Sequence, residues 1–174
     1  VVCEEVEGYE GGTVCNALNS DLKADKSKDF VEVLYPARLN AMALDPSKVE
    51  LNDEKVYTPG EIVFSINLYN RAKVEVTEGK GIEVDEDCNR SSLIRHAALV
   101  MKDALGFEEG LHIEAYNEHG VKHAGLGSSS GLISAVASAI NELYGNPIPK
   151  KTLLRYLAQN HGEEVEEDED LIVP

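Results

Sequence analysis

The chain has 174 residues, of which 43 % are apolar and 6 % aromatic, and it contains no tryptophan. This length and composition are typical of a globular domain with a substantial core. Its 32 acidic and 16 basic residues give a net charge of −16. Because nucleic acids and anionic membranes attract basic surfaces, this charge argues against either as the main partner.

The cysteines indicate a cellular compartment, and the chain ends indicate how much of the polypeptide is present. Cys3, Cys15 and Cys88 are odd in number and lack the paired spacing of a zinc site. We predict reduced thiols in a cytoplasmic protein, with a Cys3–Cys15 bridge as the less favoured alternative. No apolar run approaches the ~20 residues of a membrane span, and no secretory signal is visible. The chain starts with Val1 and stops as an apolar segment begins, so we expect it to be part of a longer polypeptide.

The first half of the chain is predicted to be rich in strands. Residues 1–29 show no clear pattern beyond a turn at 8–12 and a charged stretch at 21–29, and residues 45–60 have the composition of a loop or hairpin. Alternation of apolar and polar residues predicts strands over 30–44, which Pro36 interrupts, and over 61–79 and 80–88.

The second half is predicted to be mainly helical. A first helix spans 89–107, and its apolar face is formed by Leu93, Ala97, Val100, Met101 and Leu105. A strand follows over 110–120, with outward positions at His112, Glu114 and Asn117. Two further helices are predicted over 129–144 and 150–162. This order favours an α+β fold, in which helices pack on one face of a mostly antiparallel sheet.

The stretch VKHAGLGSSSG, residues 121–131, stands directly before the second of these helices. Gly125 and Gly127 permit positive φ, so consecutive backbone N–H groups can point into one concavity. The helix adds its first-turn N–H groups and the positive end of its dipole, which together bind phosphate without basic side chains. Lys122 would add positive charge at the rim. An ordinary turn with Ser128 or Ser129 as helix N-cap explains the same residues equally well.

The motif GLGSSSG, opening a helix after a strand, resembles the phosphate-binding motif of the GHMP kinases, Pro-x-x-x-Gly-Leu-Gly-Ser-Ser-Ala. That family includes galactokinase, homoserine kinase, mevalonate kinase and phosphomevalonate kinase. Val121 replaces the usual proline and Ser130 the usual alanine, and neither change removes a backbone donor. PARLN, residues 36–40, resembles the family's Pro-Gly-(Lys/Arg)-Val-Asn stretch, and 65–76 resembles a strand with an asparagine on the adenine side.

The resemblance implies a GHMP kinase amino-terminal, nucleotide-binding domain over 30–174. An extension of uncertain structure, residues 1–29, would precede it, and the carboxy-terminal domain would be absent. The activity implied for the full-length protein is an ATP-dependent, magnesium-dependent transfer of a phosphoryl group to a hydroxyl or phosphate of a small molecule; the fragment alone is expected to be inactive. No nucleic acid or membrane partner is implied, and the prediction leaves room for a homo-oligomer.

The resemblance also assigns roles to individual residues. The nucleotide would be bound by Gly125, Leu126, Gly127, Ser128, Ser129, Ser130 and Lys122, with Asn67 on the adenine side. Ser129 would also bind magnesium. Arg38 stands where mevalonate kinase has an active-site lysine, and it would neutralise charge on the transferring group. Because a guanidinium cannot act as a base, the general base stays unassigned.

Two other functions stay open at this point. A GHMP-fold enzyme similar to archaeal ribofuranosylaminobenzene phosphate synthase would use phosphoribosyl pyrophosphate in the same loop. A non-catalytic nucleotide sensor would bind without turnover. The acidic run at 163–170 is interpreted as a solvated loop, with magnesium binding by Asp168 or Asp170 as the alternative.

Overall fold

A computed structural model of the chain describes residues 2–5, 13–16, 24, 26–43, 61–120, 125–160, 163–165 and 168–173. Several expectations therefore lie outside the described residues. These are the turn at 8–12, the loop or hairpin at 45–60 and the rim charge of Lys122.

The described residues form eight strands: β1 (Val2–Glu5), β2 (Thr13–Asn16), β3 (Phe30–Ala43), β4 (Glu61–Thr77), β5 (Ile82–Val84), β6 (Gly110–Asn117), β7 (Glu163–Val165) and β8 (Asp168–Val173). The central sheet has the order β3-β4-β6-β5, while β1 pairs with β2 and β7 pairs with β8. All pairings are antiparallel except that of β5 with β6. The predicted mostly antiparallel sheet is confirmed.

Three helices are described, α1 (Ser91–Leu105), α2 (Ser128–Leu143) and α3 (Lys150–Gln159). Helices α1 and α2 pack together and against one face of the sheet, as predicted. The buried side chains of that face alternate with exposed ones, and they are Val31, Ala72, Val74, Leu111, Ile113 and Ala115. Within the described residues, no helix has the length and apolar character needed to cross a bilayer.

Periodicity alone located the apolar faces of the helices. The five residues predicted for the α1 face are all buried. In α2 the large apolar side chains are buried as well, namely Leu132, Ile133, Val136, Ile140 and Leu143. Each buried side chain of this size contributes about 1.5–3 kcal/mol relative to an exposed one. The small residues Ala135, Ala137 and Ala139 are also fully buried, which allows α2 to approach its neighbours closely.

Three expectations about local structure were wrong. Pro36 does not interrupt β3, because β3 is the edge of its sheet, where a missing backbone N–H is tolerated. Instead, the register of β3 with β4 shifts between Pro36 and Arg38. The described part of the acidic run is not a loop, since 163–165 and 168–170 belong to paired strands. Glu163 and Glu164 pair with Val173 and Ile172 at the apolar end of β8, and this pairing outweighs the low strand propensity of Glu. Asn117 does not point outward, because it continues the inward row of Ile113 and Ala115.

The cysteines are described only in part. Cys88 is a free thiol, as predicted, and its sulfur accepts the backbone N–H of Ala115 at 3.3 Å. Burial raises the pKa of this thiol, which disfavours the reactive thiolate. Cys3 and Cys15 are register partners in the β1–β2 pair, and their side chains lie outside the described part of the chain.

Asn141 holds the turn that connects α2 to α3. Its buried side chain donates to the carbonyl of Ile148 at 2.9 Å and accepts the N–H of the same residue at 3.1 Å. Asn141→Ala leaves two backbone groups of the buried Ile148 without these partners, so we expect a loss of about 2–4 kcal/mol in the free energy of unfolding. Urea denaturation measures it, with the exposed Gln159→Ala as control. Equal stability of the two variants would contradict this prediction.

Candidate functional site

The glycine–serine loop lies where β3, the start of α2 and the end of α3 meet. Gly125 and Gly127 have φ values of +72° and +63°, in the left-handed region that favours glycine, as predicted. The carbonyl of Gly127 accepts the N–H of Gly131 at 2.8 Å, which is the first hydrogen bond of α2. The helix therefore starts at Ser128, one residue earlier than predicted, and its first turn contains all three serines.

The start of α2 is built from backbone rather than from a side-chain cap. The N-cap position is Gly127, which forms no side-chain cap, so the alternative of a serine N-cap is excluded. The hydroxyl of Ser130 bonds back to the Gly127 carbonyl at 3.3 Å. The N–H groups of the three serines precede the first intrahelical bond, and such groups carry the positive end of the helix dipole.

Arg38 reaches this loop from the edge strand β3. Its backbone N–H donates to the carbonyl of Leu126 at 3.2 Å, which fixes the loop to the sheet. Its exposed side chain crosses Gly127 so closely that a Cβ atom there would lie 2.7 Å from the Arg38 Nε. Glycine at position 127 is thus required twice, by its φ and by the space that the guanidinium occupies.

Two cavities meet at Arg38. The first, of about 590 Å³, has the loop and Arg38 as its polar wall, and the rest of its lining is Asn40, Ile133, Ser134, Leu154, Leu157 and Ala158. The second, of about 420 Å³, is lined by Arg38, Gly127, Tyr35, Pro36, Ser65, Ser130, Gly131 and Ser134. Arg38 therefore lines two spaces, each large enough for part of a small molecule.

Ser129 differs from its two neighbours in its surroundings. It is 6 % exposed, whereas Ser128 and Ser130 are half-buried. Its hydroxyl accepts a hydrogen bond from the buried Arg90 Nη2 at 2.9 Å. Sequence reasoning missed Arg90, although a charged residue directly before α1, at a position where capping residues are usual, was a visible signal.

The described residues offer magnesium few ligands at this site. Magnesium prefers several oxygen ligands, carboxylates among them. Within the described part of the chain, no group of three or more His, Cys, Asp or Glu residues gathers to hold a metal ion. The hydroxyl of Ser129 is already bonded to a guanidinium, whose charge opposes a second cation at the same oxygen. These residues alone do not fit a complete magnesium site.

Asn67 lies on the irregular part of β4, where the register with β3 shifts. Its side-chain oxygen accepts the hydroxyl of Tyr69 at 2.7 Å, and the residue is exposed. It is not among the residues that line the two cavities at Arg38. Its assignment to the adenine side therefore stays a prediction.

Comparison with known proteins finds one family model and one relative that are similar to this chain. Residues 92–168 match the family model described as the GHMP kinases N terminal domain. The resemblance to the GHMP kinases is confirmed. A homoserine kinase from Caldanaerobacter subterraneus subsp. tengcongensis is 29 % identical over 106 residues, which cover 56 % of this chain and 34 % of that GHMP kinase.

Solved structures show the same fold. The homoserine kinase of Cytophaga hutchinsonii has a TM-score of 0.57 at 22 % identity, covering 80 % of this chain and 43 % of that one. The phosphomevalonate kinase of Streptococcus pneumoniae has a TM-score of 0.57 at 21 % identity, covering 75 % and 40 %. The chain has the fold of a GHMP kinase amino-terminal domain, and it spans less than half the length of these GHMP kinases.

Proposed function

We propose that residues 125–130 and Arg38 bind the phosphates of ATP, and that the complete protein transfers the γ-phosphoryl group to a hydroxyl or phosphate of a small molecule. One observation supports this proposal most: the left-handed Gly127 opens α2 in close contact with the Arg38 side chain, and both residues line the same cavity. Relatives of the same fold that are named as kinases support the reaction class.

The local electrostatics explain how an acidic protein would attract an anion. The chain has a net charge of −16, which opposes the approach of a nucleotide from a distance. At the loop, however, first-turn N–H groups and a helix dipole act at short range. Arg38 adds a full positive charge beside the loop.

The chemistry that these residues support is positioning and charge neutralisation. Phosphoryl transfer requires little covalent assistance, because its transition state is loose and highly charged. We propose that Arg38 stabilises charge on the transferring group, since it lines both cavities. It accepts no proton, so an acceptor hydroxyl needs its base from another residue.

We also propose Ser129 as a magnesium ligand, which requires the metal to compete with the Arg90 guanidinium for the Ser129 hydroxyl. Magnesium would arrive with the nucleotide and neutralise part of the phosphate charge. Because Ser129→Ala also removes the hydrogen bond from Arg90, its effect on ATP binding has to be compared with and without magnesium. If the hydroxyl has only a structural role, Ser129→Ala should change the ATP affinity by the same factor with and without magnesium.

The test is titration calorimetry of the protein with ATP, with and without magnesium, and with phosphoribosyl pyrophosphate in a parallel titration. We expect ATP to bind, magnesium to strengthen binding, and Ser129→Ala to remove most of the magnesium effect, about tenfold in affinity if one ligand is lost. Ser138→Ala, further along the same helix, is the control. Absence of ATP binding by the wild-type protein, or binding of phosphoribosyl pyrophosphate alone, would overturn the kinase proposal.

A further inference from the structure

Two asparagines form an amide pair beneath the loop. Asn70 of β4 is fully buried, and Asn117 of β6 is its half-buried register partner. The amide nitrogen of Asn117 donates to the Asn70 side-chain oxygen at 2.5 Å and to the carbonyl of Ser128 at 3.1 Å. The amide nitrogen of Asn70 donates to the carbonyl of Tyr35 at 3.2 Å. The pair therefore connects three strands to the first residue of α2.

The hydrogen bonds fix the orientation of both amides. Asn117 directs its nitrogen to two oxygen acceptors, and Asn70 presents its oxygen to Asn117. Rotation of either amide by 180° would bring two donors or two acceptors together, in a region where polar groups need partners. The pair is thus a rigid support with one favourable arrangement.

Gly131 shows how closely α2 rests on this support. A Cβ atom at position 131 would collide with the amide nitrogen of Asn70 and would lie 3.0 Å from its Cγ. Gly131 lies inside α2, and its φ is not among the positive values. Proximity to Asn70, rather than backbone conformation, therefore explains why the third glycine of the motif is a glycine.

We propose that Asn70 and Asn117 are positioning residues, which hold the first turn of α2 so that its N–H groups point at the bound phosphates. This inference rests on the proposed function, because the phosphates are those of the nucleotide. Neither asparagine lines the two cavities at Arg38. Their effect on binding would therefore pass through Ser128 and Gly131, and a displacement of about 1 Å is enough to misalign such donors.

The experiment compares Asn117→Ala with Asn141→Ala in the same chain. Both changes remove an asparagine amide that bonds backbone groups, but Asn141 lies at the opposite end of α2 from the loop. Calorimetry with inorganic tripolyphosphate measures phosphate contacts alone, and thermal denaturation measures stability. We expect Asn117→Ala to weaken tripolyphosphate binding about tenfold or more, and Asn141→Ala to leave it unchanged although it lowers the Tm.

Two further variants test the same positioning role if Asn117→Ala fails to fold. Asn117→Ser retains a hydroxyl donor and should lose less affinity, and Gly131→Ala should lose affinity because it pushes the helix off Asn70. Equal affinity of the wild type and the folded Asn117 and Gly131 variants would overturn the positioning role. Equal losses in Asn117→Ala and Asn141→Ala would overturn it as well. If the wild type binds neither ATP nor tripolyphosphate, the proposed function itself has failed.

Discussion

Gly127→Ala is expected to weaken ATP binding by at least about tenfold, since two separate costs add at this position. A side chain at the observed φ of +63° is strained by roughly 1–2 kcal/mol. The new methyl group would also meet the Arg38 side chain, with its Nε at 2.7 Å, and would force the guanidinium away from the cleft. Because about 1.4 kcal/mol corresponds to a tenfold change in affinity, titration calorimetry resolves the effect.

Variants of two other glycines distinguish the backbone strain at positive φ from the collision with the Arg38 side chain. Gly106 has a similar φ of +65° and open space around it, and it lies after α1, away from the loop. Gly106→Ala should therefore lower stability without changing ATP affinity. Gly125 belongs to the loop, with a φ of +72° and open space, so its Ala variant should show an intermediate loss. If Gly127→Ala binds ATP as tightly as Gly106→Ala does, the proposed phosphate site is wrong.

Arg38→Ala is expected to weaken ATP binding by about 10- to 100-fold, in line with the loss of hydrogen bonds to a charged group. Arg38→Lys keeps the positive charge but not the planar fork, so it should retain part of the affinity. The difference between wild type and Arg38→Ala should shrink at high salt, because salt screens an exposed charge. Calorimetry at two ionic strengths measures both effects.

Arg71→Ala is the matched control for the loss of one positive charge in Arg38→Ala. It is an arginine of β4 whose side chain pairs with Glu32 and Glu118, and the bond to Glu32 raises its pKa. It does not line either cavity at Arg38. Arg71→Ala removes the same charge from the protein and should leave ATP affinity nearly unchanged. Similar losses in both variants would mean that net charge, rather than the position of Arg38, controls binding.

Local patterns were enough to predict the loop and the elements around it. The 3.6-residue period located the apolar face of α1, and alternation located β3, β4 and β6 within a few residues. The left-handed glycines followed from the motif itself. These features are local, in that each depends on residues that are neighbours in the sequence.

What could not be predicted depends on contacts between distant residues. Asn70 and Asn117 stand 47 positions apart, and their pairing depends on the register of β4 with β6. The Arg90–Ser129 bond joins the starts of two different helices, 39 positions apart. The strand at 163–165 was missed for the same reason, since its acidic composition argues against a strand until its partner is known.

The Arg90–Ser129 bond has a consequence for the whole domain. It brings the amino-terminal ends of α1 and α2 together, so two helix dipoles present their positive ends to one small region. The Arg90 guanidinium bonds across them, and we expect a bound anion to offset the mutual repulsion of these positive groups. In a chain whose net charge is −16, an anion bound at this group of positive ends would therefore also stabilise the fold.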